Sequence, residues 1–226
     1  MKEKIKNVRK SIIAIGFSPI PNQVTIIGSG FSVGKNGEIL SAAHIYNLLK
    51  PEQINKLMGM AMVKQEESGL ENYQWLPLSL VKKDDANDLV IFQIENYQST
   101  LLQPLKLGDS DNVEVGDETY FIGFPYAAQL INDGFGVSLI VNRGIISNVK
   151  RDGINPEHPR NWFFVDSISN PGNSGCPLID VDSNDVVGIM TISFRIKSNT
   201  VSNLDIREPM HIAGAKPINL AKSLLS

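Results

Sequence analysis

Short apolar runs rich in β-branched residues recur along the chain from residue 11 onward, and this pattern limits the fold more than any other feature of the sequence. Turn-forming residues separate the runs, so most of them have the length of a strand. The runs are SIIAIGF, QVTIIGSGFSV, GEILSAA, SLVKK, DLVIFQI, ETYFIGF, GVSLIVNRGIIS, NWFFVDSIS, CPLIDVD and VVGIMTISF. Short strands at this spacing are typical of β-barrels and β-sandwiches, so an all-β fold is predicted.

Helix signals are few. The segment AAHIYNLLK, residues 42–50, predicts a short helix that Pro51 ends. The segment PINLAKSLLS, residues 217–226, has a proline at its start and apolar residues roughly on one face, so it predicts a short C-terminal helix. Residues 51–76 mix apolar and charged residues and fit either an insertion or a long hairpin.

The strand-like runs fall into two groups. Polar, Gly and Pro content rises over residues 95–117, which lie between the groups. Such a rise is typical of a connection between structural units. We therefore expect a first unit over residues 1–105 and a second over residues 106–226.

The composition limits the functions that the chain can have. Its formal net charge is −3 and its Lys and Arg residues are scattered, so no nucleic-acid or anionic-membrane partner is expected. The single cysteine, Cys176, excludes an internal disulfide and a cysteine-rich metal cluster. No apolar run reaches the roughly 18 residues of a membrane span, and SIIAIG is too short for a secretory signal. A cytoplasmic location is therefore expected.

The segment NPGNSG, residues 170–175, surrounds one serine with residues that form tight turns. Hydrolysis by serine needs an exposed nucleophile, backbone N–H groups that face the developing oxyanion, and a base. Gly172 lacks a Cβ, so its N–H and that of Ser174 can point to one place. The same residues also make an ordinary turn before a strand. The segment alone leaves both interpretations open.

Three histidines are available as the base. His44 ends a strand-like run and begins the first predicted helix, whereas His158 lies in a proline-flanked loop and His211 is predicted to lie at a strand edge. Asp88 directly precedes the run LVIFQI, where its carboxylate would orient an imidazole and stabilise the imidazolium. Taken alone, His44 and Asp88 each favour a structural role, so the case for chemistry depends on their combination.

Three segments, GSGFSVGKNGEILSAAHIY, NDLVIFQI and NPGNSGCPLID, together resemble the catalytic blocks of the trypsin-fold serine peptidases, especially the HtrA/Deg branch. Flanking segments extend the resemblance to about residues 25–50 and 78–226. It implies two antiparallel six-stranded β-barrels with a cleft between them and a short C-terminal helix. That branch usually continues into PDZ domains, and none is expected here because the chain ends just after the closing helix.

The resemblance assigns roles by position. Ser174 matches the nucleophile, His44 the general base and acid, and Asp88 the residue that orients His44. The backbone N–H groups of Gly172 and Ser174 match the oxyanion hole. The implied substrate is a polypeptide, and the reaction needs neither a metal nor another cofactor. The loop at residues 123–136 looks long for the branch, where such loops order the oxyanion hole, so an inactive resting state and an activating partner protein are implied.

The sequence departs from the family pattern beside the nucleophile. Cys176 stands where the family usually has glycine, and we expect it to be a buried packing residue. Ile168 stands six residues before Ser174, where trypsin-like enzymes that cut after Lys or Arg carry an acid. With Ile189 and Thr191 it is predicted to line the substrate pocket. This predicts a preference for small or medium apolar side chains at P1, the substrate residue before the cleaved bond.

The residues leave two functions open. A serine endopeptidase is favoured because all three triad positions hold the required residue types. The alternative is a catalytically silent trypsin-fold module that binds peptides in the cleft. An esterase or acyltransferase with the same triad has no distinguishing support in the sequence.

Overall fold

Two closed antiparallel β-barrels of six strands each form the body of the protein. The computed structural model describes residues 1–21, 23–34, 36–69, 71–97, 102–151, 161–197 and 207–225. The two barrels confirm the all-β fold that the sequence predicted.

The first barrel is built from the N-terminal half of the chain. Its strands are β1 (Ile12–Phe17), β2 (Thr25–Ser32), β3 (Glu38–Ala42), β4 (Leu57–Gln65), β5 (Glu71–Asp84) and β6 (Leu89–Ile94). Their order around the barrel is β1-β2-β3-β6-β5-β4. β1 pairs with both β2 and β4, which closes the barrel.

The second barrel repeats this strand order. Its strands are β7 (Glu118–Gly123), β8 (Ile140–Lys150), β9 (Trp162–Val165), β10 (Pro177–Asp180), β11 (Val186–Lys197) and β12 (Arg207–Pro217). β10 pairs with both β7 and β11, so this barrel is also closed. The unit boundary at residues 105 and 106 stays a prediction, because strand pairing does not fix where the connecting segment divides.

Short helices lie outside the barrels. They are α1 (Lys2–Val8), α2 (Ala43–Asn47), α3 (Pro51–Ile54), α4 (Ala127–Asn132) and α5 (Lys222–Leu225), with 3₁₀ turns at Arg9–Ser11, Ser110–Asn112 and Ile218–Ala221. α2 ends before the predicted stop at Pro51, which instead begins α3. Residues 51–76 contain α3 and then the β4–β5 hairpin. No helix in the described ranges is long and apolar enough to cross a membrane.

Buried apolar side chains form three clusters. One fills the first barrel and a second fills the second barrel. The third, which we call the interbarrel core, joins residues of both barrels, among them Phe31, Leu40, Leu89, Tyr120, Ile122 and Ile189. Because burial of apolar area stabilises packing, this third cluster holds the barrels together and fixes the cleft between them.

Candidate active site

His44 and Asp88 form a closely bonded pair in the first barrel. His44 lies in the first turn of α2, directly after β3, and Asp88 precedes β6 in a left-handed conformation with φ of 58°. One carboxylate oxygen of Asp88 accepts from the His44 backbone N–H at 2.7 Å, and the other lies 2.8 Å from His44 Nδ1. The Asp88 carbonyl accepts from Ala43 N at 3.1 Å.

These hydrogen bonds define which nitrogen of His44 can act as a base. A carboxylate can only accept, so Nδ1 carries the proton and Nε2 of the neutral ring offers its lone pair. The side chains are 36% and 24% exposed, so the pair lies at the barrel rim and is reachable from the cleft. The structure thus brings together these two residues, which the sequence analysis names as candidates.

Ser174 lies in a tight loop between β9 and β10. Two glycines give the loop its shape, since Gly172 has φ of 102° and Gly175 has φ of 84°. Asn173 N donates to Asn170 O at 2.9 Å, and Gly175 N donates to Met190 O on β11 at 2.7 Å. The loop is therefore fixed to β11 as well as closed on itself.

Contacts between the barrels bring the Ser174 loop to the His44 side of the cleft. The backbone N–H of Ser29, on β2, donates to Ser174 O at 2.8 Å. A Cβ on Gly28 would lie 2.9 Å from Ile45 Cγ1 and 3.2 Å from Ser174 O, so a larger residue there would require Ile45 to shift. Among the hydrogen bonds of the described residues, none joins Ser174 Oγ to His44. Such a bond often forms at full strength only with substrate bound.

The backbone around Gly172 contains the two N–H groups that are predicted to form an oxyanion hole. The Pro171 carbonyl accepts from Tyr126 N at 2.8 Å, and in a trans peptide the N–H of Gly172 points the opposite way. Within the described part of the chain, no hydrogen bond uses the N–H of Gly172 or of Ser174. A Cβ on Gly172 would lie 3.1 Å from Pro125 Cα. Both N–H groups are thus available to a ligand oxygen.

The three predicted pocket residues differ in their surroundings. Ile168 is half-buried between β9 and the Ser174 loop. Thr191 is 7% exposed, and its hydroxyl has no hydrogen-bond partner among the described residues. Ile189 is fully buried in the interbarrel core, so it supports the cleft from behind. The substrate pocket itself stays a prediction.

Cys176 and the remaining histidines have no visible part in the site. Cys176 is fully buried in the core of the second barrel, and burial raises the pKa of its thiol far above the ordinary value. His211 is exposed on β12, and His158 lies outside the described residues. Among the described residues, no group of three or more His, Cys, Asp or Glu side chains could hold a metal ion.

Three residues near the site were missed by the sequence reasoning. Ser29 contacts the Ser174 loop from the opposite barrel, and Tyr126 holds the Pro171 carbonyl. Lys216, on β12, is only 5% exposed and its Nζ lies 4.0 Å from the centre of the Trp162 ring. Burial lowers the pKa of Lys216, and the negative charges of Asp88 and Asp84 partly oppose this shift. The sequence contains one indication of Ser29, because it follows Gly28 in the segment GSG and Gly28 approaches Ser174.

A family model described as a trypsin-like peptidase domain matches residues 28–189. The match includes both members of the His–Asp pair and the Ser174 loop. The chain therefore belongs to the trypsin-like peptidase domain family.

Its relatives include bacterial serine endoproteases. The chain is 35% identical over 136 residues to the periplasmic serine endoprotease DegP of Escherichia coli (strain K12), covering 55% of this chain and 26% of DegP. It is 28% identical over 189 residues to the periplasmic pH-dependent serine endoprotease DegQ of the same strain, covering 84% of this chain and 36% of DegQ. The chain thus spans about a quarter to a third of these curated relatives.

A solved structure has the same fold. The HtrA-type protease AlgW with tripeptide superposes with a TM-score of 0.66 and 22% sequence identity. The match covers 99% of this chain and 62% of the AlgW chain. It shows that the two chains share the fold of two packed six-stranded barrels.

The predicted cytoplasmic location is contradicted by these relatives, because DegP and DegQ are named as periplasmic enzymes. The prediction rested on cysteine content and on the apolar run near the N-terminus. A chain with one cysteine needs no disulfide, so it is compatible with an oxidising compartment as well as with a reducing one.

Proposed function

We propose that this protein is a serine endopeptidase that cleaves polypeptides through Ser174, His44 and Asp88. The observation that carries the proposal is the pair of hydrogen bonds between Asp88 and His44. They leave His44 Nε2 free to accept a proton, and the Ser174 loop borders the same cleft. The names of DegP and DegQ as serine endoproteases support the reaction class, and they also support a periplasmic place of action.

The reaction follows from the roles of these groups. Ser174 Oγ attacks the carbonyl carbon of the scissile bond while His44 Nε2 takes its proton, and the Asp88 carboxylate stabilises the resulting imidazolium. The carbonyl electrons move to the oxyanion, which the N–H groups of Gly172 and Ser174 bind. The C–N bond then breaks, and the imidazolium gives its proton to the leaving amine. Water attacks the acyl-enzyme by the same steps and releases the acid.

We further propose a preference for small or medium apolar P1 side chains. Ile168 supports this proposal, since a basic P1 side chain would meet no counter-charge at that position, and the carboxylate of Asp166 is exposed two residues earlier. A peptide library varied at P1 tests it. Faster cleavage after Lys or Arg than after Ala, Val or Leu would contradict the assignment.

Regulation through the loop at residues 123–136 is also proposed. The Tyr126 N–H donates to the Pro171 carbonyl, which belongs to the same peptide as the Gly172 N–H. Movement of this loop would therefore change the direction in which the Gly172 N–H points. A partner protein that orders the loop would therefore activate the enzyme. Activity that rises on addition of such a partner, without a change in protein stability, is the expected observation.

A fluorophosphonate probe tests the proposed reaction. The wild-type protein should be labelled at Ser174, and Ser174→Ala and His44→Ala should both abolish labelling while remaining folded. The reagent reads out the activated serine directly, so it needs no knowledge of the natural substrate. A folded wild-type protein that is not labelled would instead favour a silent peptide-binding module, or a resting state that awaits the activating partner.

A further inference from the structure

Ser29 is a fully buried residue of β2 that joins the first barrel to two loops of the second. Its hydroxyl donates to the Gly172 carbonyl at 2.6 Å and accepts from the Phe124 N–H at 3.0 Å. Its own N–H donates to Ser174 O, and its carbonyl accepts from Ser41 Oγ at 2.7 Å. Every polar atom of Ser29 is therefore used.

The hydroxyl acts on the backbone that carries the proposed oxyanion donors. Gly172 has φ of 102° and no side chain, so its own geometry does little to fix the peptides on either side of it. Tyr126 holds the peptide before Gly172 through the Pro171 carbonyl, and Ser29 holds the peptide after it through the Gly172 carbonyl. Between these two anchors, the direction of the Gly172 N–H is determined.

Only a side chain that both donates and accepts can fill this position. The Phe124 N–H needs an acceptor and the Gly172 carbonyl needs a donor, and one hydroxyl supplies both. A Cβ on Gly123 would lie 3.0 Å from Ser29 Oγ, so the surroundings are tightly packed. Alanine at position 29 would leave both backbone groups without their partner, which favours reorientation of the loop that carries them.

We propose that Ser29 is a positioning residue of the active site, whose hydroxyl orients the Gly172 N–H toward the developing oxyanion. The inference rests on the proposed peptidase function. The Ser29 hydroxyl also connects the loop at residues 123–136 to the proposed oxyanion hole, because it bonds both Phe124 and Gly172. Ser29 contributes to the transition state through Gly172 and does not itself contact the substrate.

Ser29→Ala and Ser32→Ala form a matched pair for the test. Ser32 is a fully buried serine of the same strand whose hydroxyl donates locally, to Gly34 O at 3.3 Å. Removal of one oxyanion donor costs other serine proteases roughly 10²- to 10³-fold in kcat, so misorientation of one donor should cost Ser29→Ala about 10- to 100-fold. KM should change by less than about threefold, since the ground-state carbonyl depends less on the donor. Ser32→Ala should keep wild-type kinetics.

Inhibitor binding separates positioning from a general loss of structure. A peptide trifluoromethyl ketone forms a tetrahedral adduct with Ser174 whose oxygen occupies the oxyanion hole, whereas the corresponding peptide acid binds the cleft without an adduct. In Ser29→Ala, the affinity for the ketone should fall by the same factor as kcat, and the affinity for the peptide acid should stay unchanged. Equal weakening of both inhibitors would overturn the proposal.

A second variant covers the case in which Ser29→Ala does not fold. Ser29→Cys is nearly isosteric and keeps a weak donor and acceptor, so it should fold and lose less kcat than Ser29→Ala. If the cysteine variant also fails to fold, Ser29 is a residue of the fold alone and the proposal is wrong. If the wild-type protein binds no trifluoromethyl ketone at all, the peptidase function fails. If Ser29→Ala binds the ketone as the wild type does, only the role of Ser29 fails.

Discussion

Asp88→Asn tests the His44–Asp88 pair sharply, because the structure determines how the new amide must lie. One oxygen of Asp88 accepts from the His44 backbone N–H at 2.7 Å, and that donor cannot change its role. The amide oxygen must therefore take this place, and the amide NH₂ faces His44 Nδ1. Since the NH₂ can only donate, Nδ1 becomes an acceptor and the ring proton moves to Nε2. The neutral imidazole then has no lone pair toward Ser174.

Two losses determine the size of the effect. Unit charges 2.8 Å apart attract by about 6 kcal/mol at an effective dielectric constant of about 20. Solvent reaches both side chains, so we take about half of this energy as the stabilisation of the imidazolium, which is about 10²-fold in rate. The wrong tautomer also removes the general base, which contributes about 10²- to 10⁴-fold. Because the two effects overlap, we expect kcat to fall about 10³- to 10⁴-fold.

The assay is the steady-state cleavage of a fluorogenic peptide, with fluorophosphonate labelling as a second measurement. Asp85→Asn is the matched control, because it removes the same charge from an exposed side chain of the same turn, bonded to Asn47 and Lys83. KM should change little in either variant. If Asp88→Asn keeps more than a tenth of wild-type kcat, or if Asp85→Asn loses as much, the tautomer argument is refuted.

Three further predictions concern the oxyanion loop, a buried cation and the cysteine. Gly172→Ala places a Cβ against the backbone of Phe124 and Pro125 and should lower kcat about 10²-fold. Gly116→Ala, with φ of 103° and open space around it, should lose stability in urea unfolding through backbone strain alone and keep its activity. Lys216→Met should raise the free energy of unfolding at pH 7, because burial lowers the pKa of the native lysine and so disfavours its charged form in the folded state. The difference in unfolding free energy between Lys216→Met and the wild type should shrink as pH rises from that lowered pKa toward the ordinary lysine value. Over this range Lys216 is deprotonated in the folded protein while it is still protonated in the unfolded chain. Cys176 should resist iodoacetamide in the native protein and react after unfolding in urea, as mass spectrometry would show, because its thiol is buried and its pKa is raised.

Most strands were predictable because each depends on its own pattern of apolar and turn residues. β4 lies within residues 51–76, whose mixed pattern fits either an insertion or a long hairpin. The helices outside the barrels were less predictable from the sequence. α1 was not predicted, since its sequence KEKIKNV carries little apolar periodicity, and the structure holds it by tertiary contacts. Lys4 Nζ donates to the carbonyls of Val181 and Asp182 at 2.9 Å each, 177 and 178 residues away in the chain.

The residue types of the site were predictable, but its supporting contacts were not. Ser174, His44 and Asp88 occur in segments with a recognisable local pattern. Ser29 acts through a hydrogen bond to Gly172 that spans 143 residues, and no local pattern predicts such a contact. Lys216 is buried because β12 pairs it with Ile189, a residue of the interbarrel core, whereas the strand pattern alone does not distinguish that face from a solvated one.

The two halves of the site depend on the fold in different ways. Asp88 and His44 belong to the first barrel, and their hydrogen bonds form without any contribution from the second. Ser174 belongs to the second barrel and reaches the cleft through its bond to Ser29 and the packing of the interbarrel core. A change that shifts one barrel against the other therefore leaves the His44–Asp88 pair intact and misplaces Ser174 and the proposed oxyanion hole. Under the proposed regulation, movement of the loop at residues 123–136, which contains Tyr126 and Phe124, would alter the proposed oxyanion hole and leave the His44–Asp88 pair undisturbed.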